Sequence, residues 1–170
     1  VYKRQSELRL WTALDNDLLV PFHYFGIADG VDLSGAQFTA GGYRVADQDR
    51  LYTGNDQRAK KIIQATREIV TDTGNMKALG FCVSVDHATY MAEVFNQAGI
   101  PSGVVTGKTS REDRDQAIRQ LATGELNCLM AVDVFNEGFD LPAIDTVLMM
   151  RPTQSATIFI QQLGRGLRLS

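Results

Sequence analysis

Apolar residues in this chain recur in two alternating patterns, which together predict the order of its strands and helices. Short, nearly continuous apolar runs predict four buried strands, at residues 78–85, 102–106, 127–132 and 146–150. Between and after them, apolar residues spaced three and four apart predict amphipathic helices at 56–70, 86–98, 110–123 and 153–168. Such alternation is typical of a parallel sheet covered by helices on both faces. The pattern therefore predicts an α/β fold.

The first 42 residues follow a different pattern. Leu8, Trp11 and Leu14 recur at helical spacing and predict a helix at 6–17, which an aromatic-rich strand at 18–28 follows. Residues 29–42 carry four glycines and polar turn residues, which predict a loop or linker. We expect residues 1–5 to be a possible scar, 6–42 to be a lead-in, and 43–170 to form one domain.

Composition narrows the class of protein. The 170 residues carry a net charge of −3, which argues against a domain that binds nucleic acid through its overall charge. Cys82 and Cys128 lie in apolar runs without paired metal-ligand spacing, so we expect buried thiols in a reducing cytosol and no metal site. No apolar run approaches the length of a membrane span, and no signal peptide is visible. We expect a cytoplasmic protein without a membrane partner.

The last helix carries the most informative polar pattern. Gln161, Arg165 and Arg168 are four and three residues apart, so their side chains share one helical face. An arginine presents a fixed fork of donors that stays charged, and two of them on one face suit a phosphate-rich ligand. The alternative is an arginine pair that caps the carbonyl groups at a helix end.

A second polar stretch follows the strand at 127–132. In residues 136–142, Gly138 lets backbone approach a ligand, and the carboxylate of Asp140 is placed to accept hydroxyl protons such as those of a ribose. Taken alone, Asp140 also fits a solvated turn residue. Its position shortly before the Gln161–Arg168 stretch favours the ligand interpretation.

These stretches together resemble the second RecA-like domain of superfamily 2 helicases and translocases of the DEAD/DEAH type. The resemblance covers about residues 7–168 and is greatest to bacterial helicases related to restriction subunits and excision-repair helicases. Its motifs match in order and rough spacing: residues 81–88, Gly107 with Arg114, residues 137–142, and Gln161-x-x-Gly164-Arg165-x-x-Arg168. It implies a RecA-like three-layer fold with a mostly parallel sheet.

The resemblance also implies a role for each matching residue. Arg168 corresponds to an arginine finger on the γ-phosphate of ATP, Arg165 to its partner, and Gln161 to a residue that orients water or phosphate. Glu137, Gly138 and Asp140 would lie at the nucleotide, with Asp140 at its ribose. ATP and Mg²⁺ would be held mainly by an N-terminal RecA-like domain, which this chain lacks.

Further matching residues imply contacts with the backbone of DNA or, alternatively, RNA. They follow strand ends or begin helices, where free N–H groups attract phosphate: Ser84, Val85, His87, Gly107, Lys108 and Thr109. For His87, an exposed histidine at a helix start is an equally good interpretation. Val132 also corresponds to a position that contacts the backbone, but the family usually has a phosphate-contacting Thr there, so this position loses a hydroxyl donor.

Two motifs that a complete motor needs are missing from the chain. There is no Gly-x-x-x-x-Gly-Lys-[Ser/Thr] loop, because residues 103–109 are one residue short, and there is no Asp-Glu-x-His or Asp-Glu-x-Asp box. We therefore expect half of an ATP-dependent helicase or translocase. A non-catalytic RecA-like module that binds nucleic acid or protein, and an RNA helicase domain, remain alternatives.

Overall fold

The computed structural model describes residues 23, 25–32, 34, 36–39, 42–132 and 144–151. In these ranges the helices are α1 (Val45–Tyr52), α2 (Asp56–Ile69), α3 (Val85–Gln97) and α4 (Arg111–Thr123). The strands are β1 (Phe38–Thr39), β2 (Gly42–Tyr43), β3 (Ala78–Phe81), β4 (Ser102–Thr106), β5 (Cys128–Val132) and β6 (Thr146–Met149). No helix among the described residues is long and apolar enough to cross a membrane.

The main sheet has the strand order β4-β5-β3-β6, and every neighbouring pair is parallel. In its register, Phe81 of β3 lies opposite Ala131 of β5 and opposite Met149 of β6. Thr106 of β4 lies opposite Val132 of β5. The four strands therefore end at one common edge, and the predicted α/β fold with a parallel sheet is confirmed.

Alternate residues of the strands supply two separate cores, one on each face of the sheet. Met91 and Phe95 of α3 are fully buried against the first face together with Met130. Leu121 of α4 is fully buried against the second face with Leu129. This alternation follows from the two-residue period of a strand, and it gives the predicted helix–sheet–helix layers.

Side-chain caps fix where three of the helices begin. Asn55 accepts a hydrogen bond from the Arg58 N–H at 3.0 Å, and Ser84 accepts one from the His87 N–H at 3.0 Å. Ser110 accepts one from the Asp113 N–H at 3.1 Å. Each cap satisfies an N–H group that has no partner within its own helix. The predicted helix start at Ser110 is confirmed.

Most predicted elements match the observed ones within a few residues. The strand predicted at 102–106 has these same bounds, and the helices at 56–70, 86–98 and 110–123 each shift by one residue. The strand predicted at 78–85 is too long, because Ser84 already caps α3. Ile69, expected on the inner face of α2, is 39% exposed, since the helix ends there.

The lead-in was predicted less well. A strand was predicted at 18–28. Of these residues the structure describes His23 and 25–28, and none of them is in a strand. The segment predicted as a loop at 29–42 contains β1, which pairs with β2 as an antiparallel hairpin, and α1 was not predicted. The helices predicted at 6–17 and 153–168 lie outside the described residues, and the proposed boundaries at 6 and 43 stay predictions.

Both cysteines lie inside the fold, as predicted. Cys82 and Cys128 are fully buried, and both are free thiols. Burial raises the pKa of the Cys82 thiol to about 12. At neutral pH it therefore stays protonated and behaves as a small apolar side chain.

Candidate functional site at the carboxyl edge of the sheet

The loops that follow the parallel strands lie at one edge of the sheet. This carboxyl edge consists, in the described residues, of 82–87 after β3, 107–110 after β4, and 150–151 after β6. Ligands of open α/β sheets bind at this edge, because loops and helix N-termini converge there. The structure therefore brings together the predicted nucleic-acid contacts of two separate sequence motifs.

Ser84 and Val85 form the turn from β3 into α3. The Ser84 hydroxyl donates to the carboxylate of Asp49 in α1 while its oxygen caps α3 through the His87 N–H. Its proton is therefore already engaged, and the side chain has none left for a phosphate. Val85 is 45% exposed, and the N–H groups of Val85 and Asp86 belong to the helix start, which has no intrahelical acceptors for them. The exposed Asp86 carboxylate adds negative charge at the same place.

His87 lies inside the protein, not at its surface. Its side chain is fully buried, so the interpretation as an exposed helix-start histidine is wrong. The Val83 N–H donates to Nδ1 at 3.2 Å, and Nε2 lies 3.3 Å from Nη1 of Arg58. Burial, followed by the charge of Arg58, lowers the pKa of His87 to about 4. The neutral, buried ring is not available to a phosphate in this arrangement.

The loop after β4 is held by hydrogen bonds of its own threonines. The Thr109 hydroxyl accepts from the Thr106 N–H at 2.9 Å, and the Thr106 hydroxyl accepts from the Lys108 N–H at 3.2 Å. Arg114 of α4 donates to the Thr109 carbonyl at 3.0 Å. Gly107 and Lys108 are exposed, and the space around Gly107 is open. An anion can therefore approach the backbone of this loop and the Lys108 ammonium together.

Val132, the last residue of β5, is buried. Only 8% of it is exposed, and its side chain belongs to the core on the α3 face of the sheet. It presents an apolar side chain and no hydroxyl, and its contact with nucleic acid stays a prediction. The other predicted nucleic-acid contacts lie in the loops after β3 and β4.

Sequence reasoning missed a buried arginine that contacts both His87 of α3 and Met150 after β6. Arg58 of α2 is 6% exposed, and its Nε donates to Oδ2 of Asp29 at 2.7 Å. Its Nη2 donates to the Met150 carbonyl at 2.8 Å, and its guanidinium carbon lies 4.0 Å above the centre of the Tyr52 ring. With the His87 contact, one guanidinium touches four parts of the chain. We call Asp29, Tyr52, Arg58, His87 and Met150 the Arg58 cluster.

A signal for this arginine was present in the helical pattern. Arg58, Ile62 and Thr66 are four residues apart, so they lie on one face of α2. Ile62 packs against the core, and an arginine on the same face must be paired when it is buried. Its partners lie 29 and 92 residues away, and no sequence pattern identifies them.

The predicted nucleotide-binding residues lie outside the described residues. These are Glu137, Gly138 and Asp140, and also Gln161, Arg165 and Arg168. Their roles stay predictions. The described Met150 and Arg151 follow β6 at the carboxyl edge and precede Gln161, Arg165 and Arg168 in the sequence.

Comparison with known proteins gives three clear relatives. A putative ATP-dependent helicase of Saccharomyces cerevisiae, IRC3, is 32% identical over 157 residues, which is 92% of this chain and 22% of that protein. The DNA 3'-5' translocase XPB2 of Sulfurisphaera tokodaii is 32% identical over 106 residues, 62% of this chain and 23% of that protein. The crystal structure of the Hef helicase domain of Pyrococcus furiosus superposes with a TM-score of 0.52 at 29% identity. The superposed region is 63% of this chain and 22% of the Hef chain.

The extent of these matches shows what part of a protein the chain represents. It spans less than a quarter of the length of each of these relatives. Residues 60–170 match the family described as the helicase conserved C-terminal domain, and this range includes α3, α4, the whole parallel sheet and the Gln161–Arg168 stretch. The chain belongs to the helicase conserved C-terminal domain family.

Proposed function

We propose that this domain works in an ATP-dependent DNA helicase or translocase of superfamily 2, as the second of two RecA-like domains. The observation that carries the proposal is the family match over residues 60–170, which includes both the carboxyl edge and the Gln161–Arg168 stretch. The loops after β3 and β4 and the exit from β6 lie at that one edge. A single edge can therefore face nucleic acid and a nucleotide held by a neighbouring domain.

In this proposal the last helix supplies the charges for hydrolysis. Arg168 and Arg165 would neutralise charge that develops on the γ-phosphate, and Gln161 would orient the attacking water or the phosphate. Gly138 and Glu137 would lie against the nucleotide, and Asp140 would accept from its ribose. The neighbouring domain would hold ATP and Mg²⁺, because the sequence has no complete phosphate-binding loop.

The nucleic-acid contacts would run mainly through backbone groups. At the start of α3 the N–H groups of Val85 and Asp86 are the available donors, since the Ser84 hydroxyl donates to Asp49. At the other loop the Gly107 N–H and the Lys108 ammonium would be the donors, since the N–H groups of Lys108 and Thr109 already donate to Thr106. Contacts to the sugar-phosphate backbone position a strand without reading its sequence, and they weaken as salt rises.

DNA is proposed as the substrate over RNA. XPB2, which is 32% identical, is named a DNA 3'-5' translocase, whereas DBP3 of Lodderomyces elongisporus, named an ATP-dependent RNA helicase, is 26% identical. We also propose a cytosolic location, which the two free, buried thiols support.

The test is nucleic-acid-stimulated ATP hydrolysis by the full-length protein. We expect single- or double-stranded DNA to raise the turnover number more than RNA does. Arg168→Lys should lower it by about 10³-fold, because an ammonium cannot replace the guanidinium fork. Arg119→Lys, at an exposed position of α4, is the matched control and should keep the wild-type rate. Full turnover by a folded Arg168→Lys variant contradicts the assigned role, and no stimulation by any nucleic acid contradicts the proposed function.

A further inference from the structure

The Arg58 cluster joins three parts of the molecule that are far apart in the sequence. Asp29 belongs to the segment predicted to lead in from the first domain. His87 lies in α3 next to the loop proposed to contact nucleic acid. Met150 directly follows β6, and the predicted arginine fingers come later in the sequence. Within the described residues, the Arg58 guanidinium contacts all three.

The contacts of the Arg58 guanidinium fix the relative positions of its partners. The Nε and Nη2 atoms donate in different directions, to a carboxylate and to a main-chain carbonyl, at 2.7 and 2.8 Å. The guanidinium plane is further limited by the Tyr52 ring on which it lies. A planar fork with several donors can hold such separate acceptors at once, whereas an ammonium on a flexible stem cannot. The position of the Met150 carbonyl is thus tied to that of Asp29.

The His87 ring adds a contact that depends on the position of its proton. Within the cluster, its nitrogens face the Arg58 Nη1 and the Val83 N–H, which are both donors. A neutral imidazole has one bare nitrogen and accepts from only one of them. Arg58 and the Val83 N–H therefore compete for the ring. Val83 directly precedes the cap Ser84, so the ring links Arg58 to the loop after β3.

We propose that Arg58 is a positioning residue that couples nucleic-acid binding at the carboxyl edge to ATP hydrolysis. It does so by holding Asp29, His87 and Met150 in one arrangement. This inference rests on the proposed function. Arg58 touches neither ligand, and it acts through the loop after β3 and through the chain that leaves β6.

The test compares Arg58→Lys, Asp29→Asn and the double variant in the full-length protein. We expect Arg58→Lys to lower the nucleic-acid-stimulated turnover number about 10- to 100-fold, because small misplacements of catalytic groups have effects of this size. The KM for ATP and the unstimulated rate should change by less than about 3-fold, since no direct ligand contact is lost. Because Asp29 acts through Arg58, the double variant should be no slower than Arg58→Lys alone.

Arg67→Lys is the matched control on the same helix. Arg67 is exposed and donates to the Ala98 carbonyl, away from the cluster, so its replacement should leave stimulation unchanged. Thermal unfolding of each variant separates a positioning effect from a loss of folded protein. Folded Arg58→Lys and Asp29→Asn variants with the wild-type ratio of stimulated to unstimulated turnover overturn the inference alone. A wild-type protein that nucleic acid does not stimulate overturns the proposed function together with it.

Discussion

His87 shows how burial changes the part that a single residue can play. By sequence it begins a helix after a strand, where a charged or hydrogen-bonding side chain suits a phosphate. In the structure its neutral ring lies between the Arg58 guanidinium and the Val83 N–H, with no exposed surface. The backbone N–H groups at the helix start are still available to an anion. The buried ring accepts from the Val83 N–H and so helps to hold the turn that precedes the helix.

The pKa of His87 predicts a pH dependence of folding stability. The unfolded ring takes up a proton below about pH 6.5, whereas the folded ring resists it down to about pH 4. The unfolded state therefore binds more protons in this window, so the free energy of unfolding falls as the pH is lowered from 6.5 to 4. The loss is at most about 3 kcal/mol, from the shift between the ordinary pKa of 6.5 and about 4.

Urea unfolding of the wild type and of His87→Gln at several pH values in this window measures that loss. The variant should have a flatter dependence on pH than the wild type, because the titrating group is gone. His23→Gln, at the exposed histidine, is the control and should keep the wild-type dependence. Equal slopes for the wild type and His87→Gln would show that this ring is not the group responsible.

Among residue roles, those that depend on local spacing were predictable and those that depend on distant contacts were not. The helix start predicted at residue 110 is correct, and Ser110 caps it by accepting a hydrogen bond from the Asp113 N–H three residues later. Arg58 was missed because its partners Asp29 and Met150 become neighbours only when the chain folds.

At the scale of elements, the close packing of the sheet makes a specific demand on β3. A Cβ atom added to Gly80 would lie 2.7 Å from Sδ of Met130 and 2.7 Å from Cε of Met150. Both methionine ends are flexible and can move partly aside. Gly80→Ala should therefore lower the free energy of unfolding by about 1–3 kcal/mol, as overpacked core substitutions do.

Urea unfolding also checks this substitution. Gly107→Ala is the matched control for stability, since no atom lies within 4 Å of the added Cβ there. It should change the free energy of unfolding by less than about 0.5 kcal/mol. A Gly80→Ala variant as stable as the wild type would mean that the two methionines rearrange without cost.

The elements of the sheet were predicted well because burial leaves a strong pattern in the sequence. The run at 102–106 lies between Pro101 and Gly107, which limit it on both sides, and its bounds were correct. Helix α1 was missed because four consecutive polar residues, 47–50, interrupt its apolar pattern, with Gln48 and Tyr52 as its buried members. The β1–β2 hairpin was missed because its strands have two residues each, too few for a two-residue period to be visible.

At the scale of the whole molecule, the proposed function gives the domain half of a site. The chain matches a helicase C-terminal domain. In the relatives, the matching region makes up less than a quarter of the protein. The proposed arginine fingers need a nucleotide that a neighbouring domain holds. The predicted nucleotide contacts cannot be complete on this chain alone, because the phosphate-binding loop is missing from its sequence.

The 170-residue chain by itself is therefore expected to bind ATP weakly and to hydrolyse none. Phosphate release by the chain and by the full-length protein, at equal concentrations and with saturating DNA, measures the difference. The chain carrying Arg168→Lys controls for contaminating ATPases, because its background should equal that of the unchanged chain. Turnover by the unchanged chain that Arg168→Lys removes would contradict the assignment of half a site.

The Asp29–Arg58 ion pair has a practical consequence for exchanging domains between related motors. A chimera joined downstream of residue 29 would discard the carboxylate and leave an almost buried guanidinium without its counter-charge. A junction upstream of residue 29 would carry the acid along with its arginine. A unit exchanged between such proteins should therefore begin before the hairpin and the first helix. Its start then lies upstream of the glycine-rich residues 29–42, which by sequence alone would be taken for a replaceable linker.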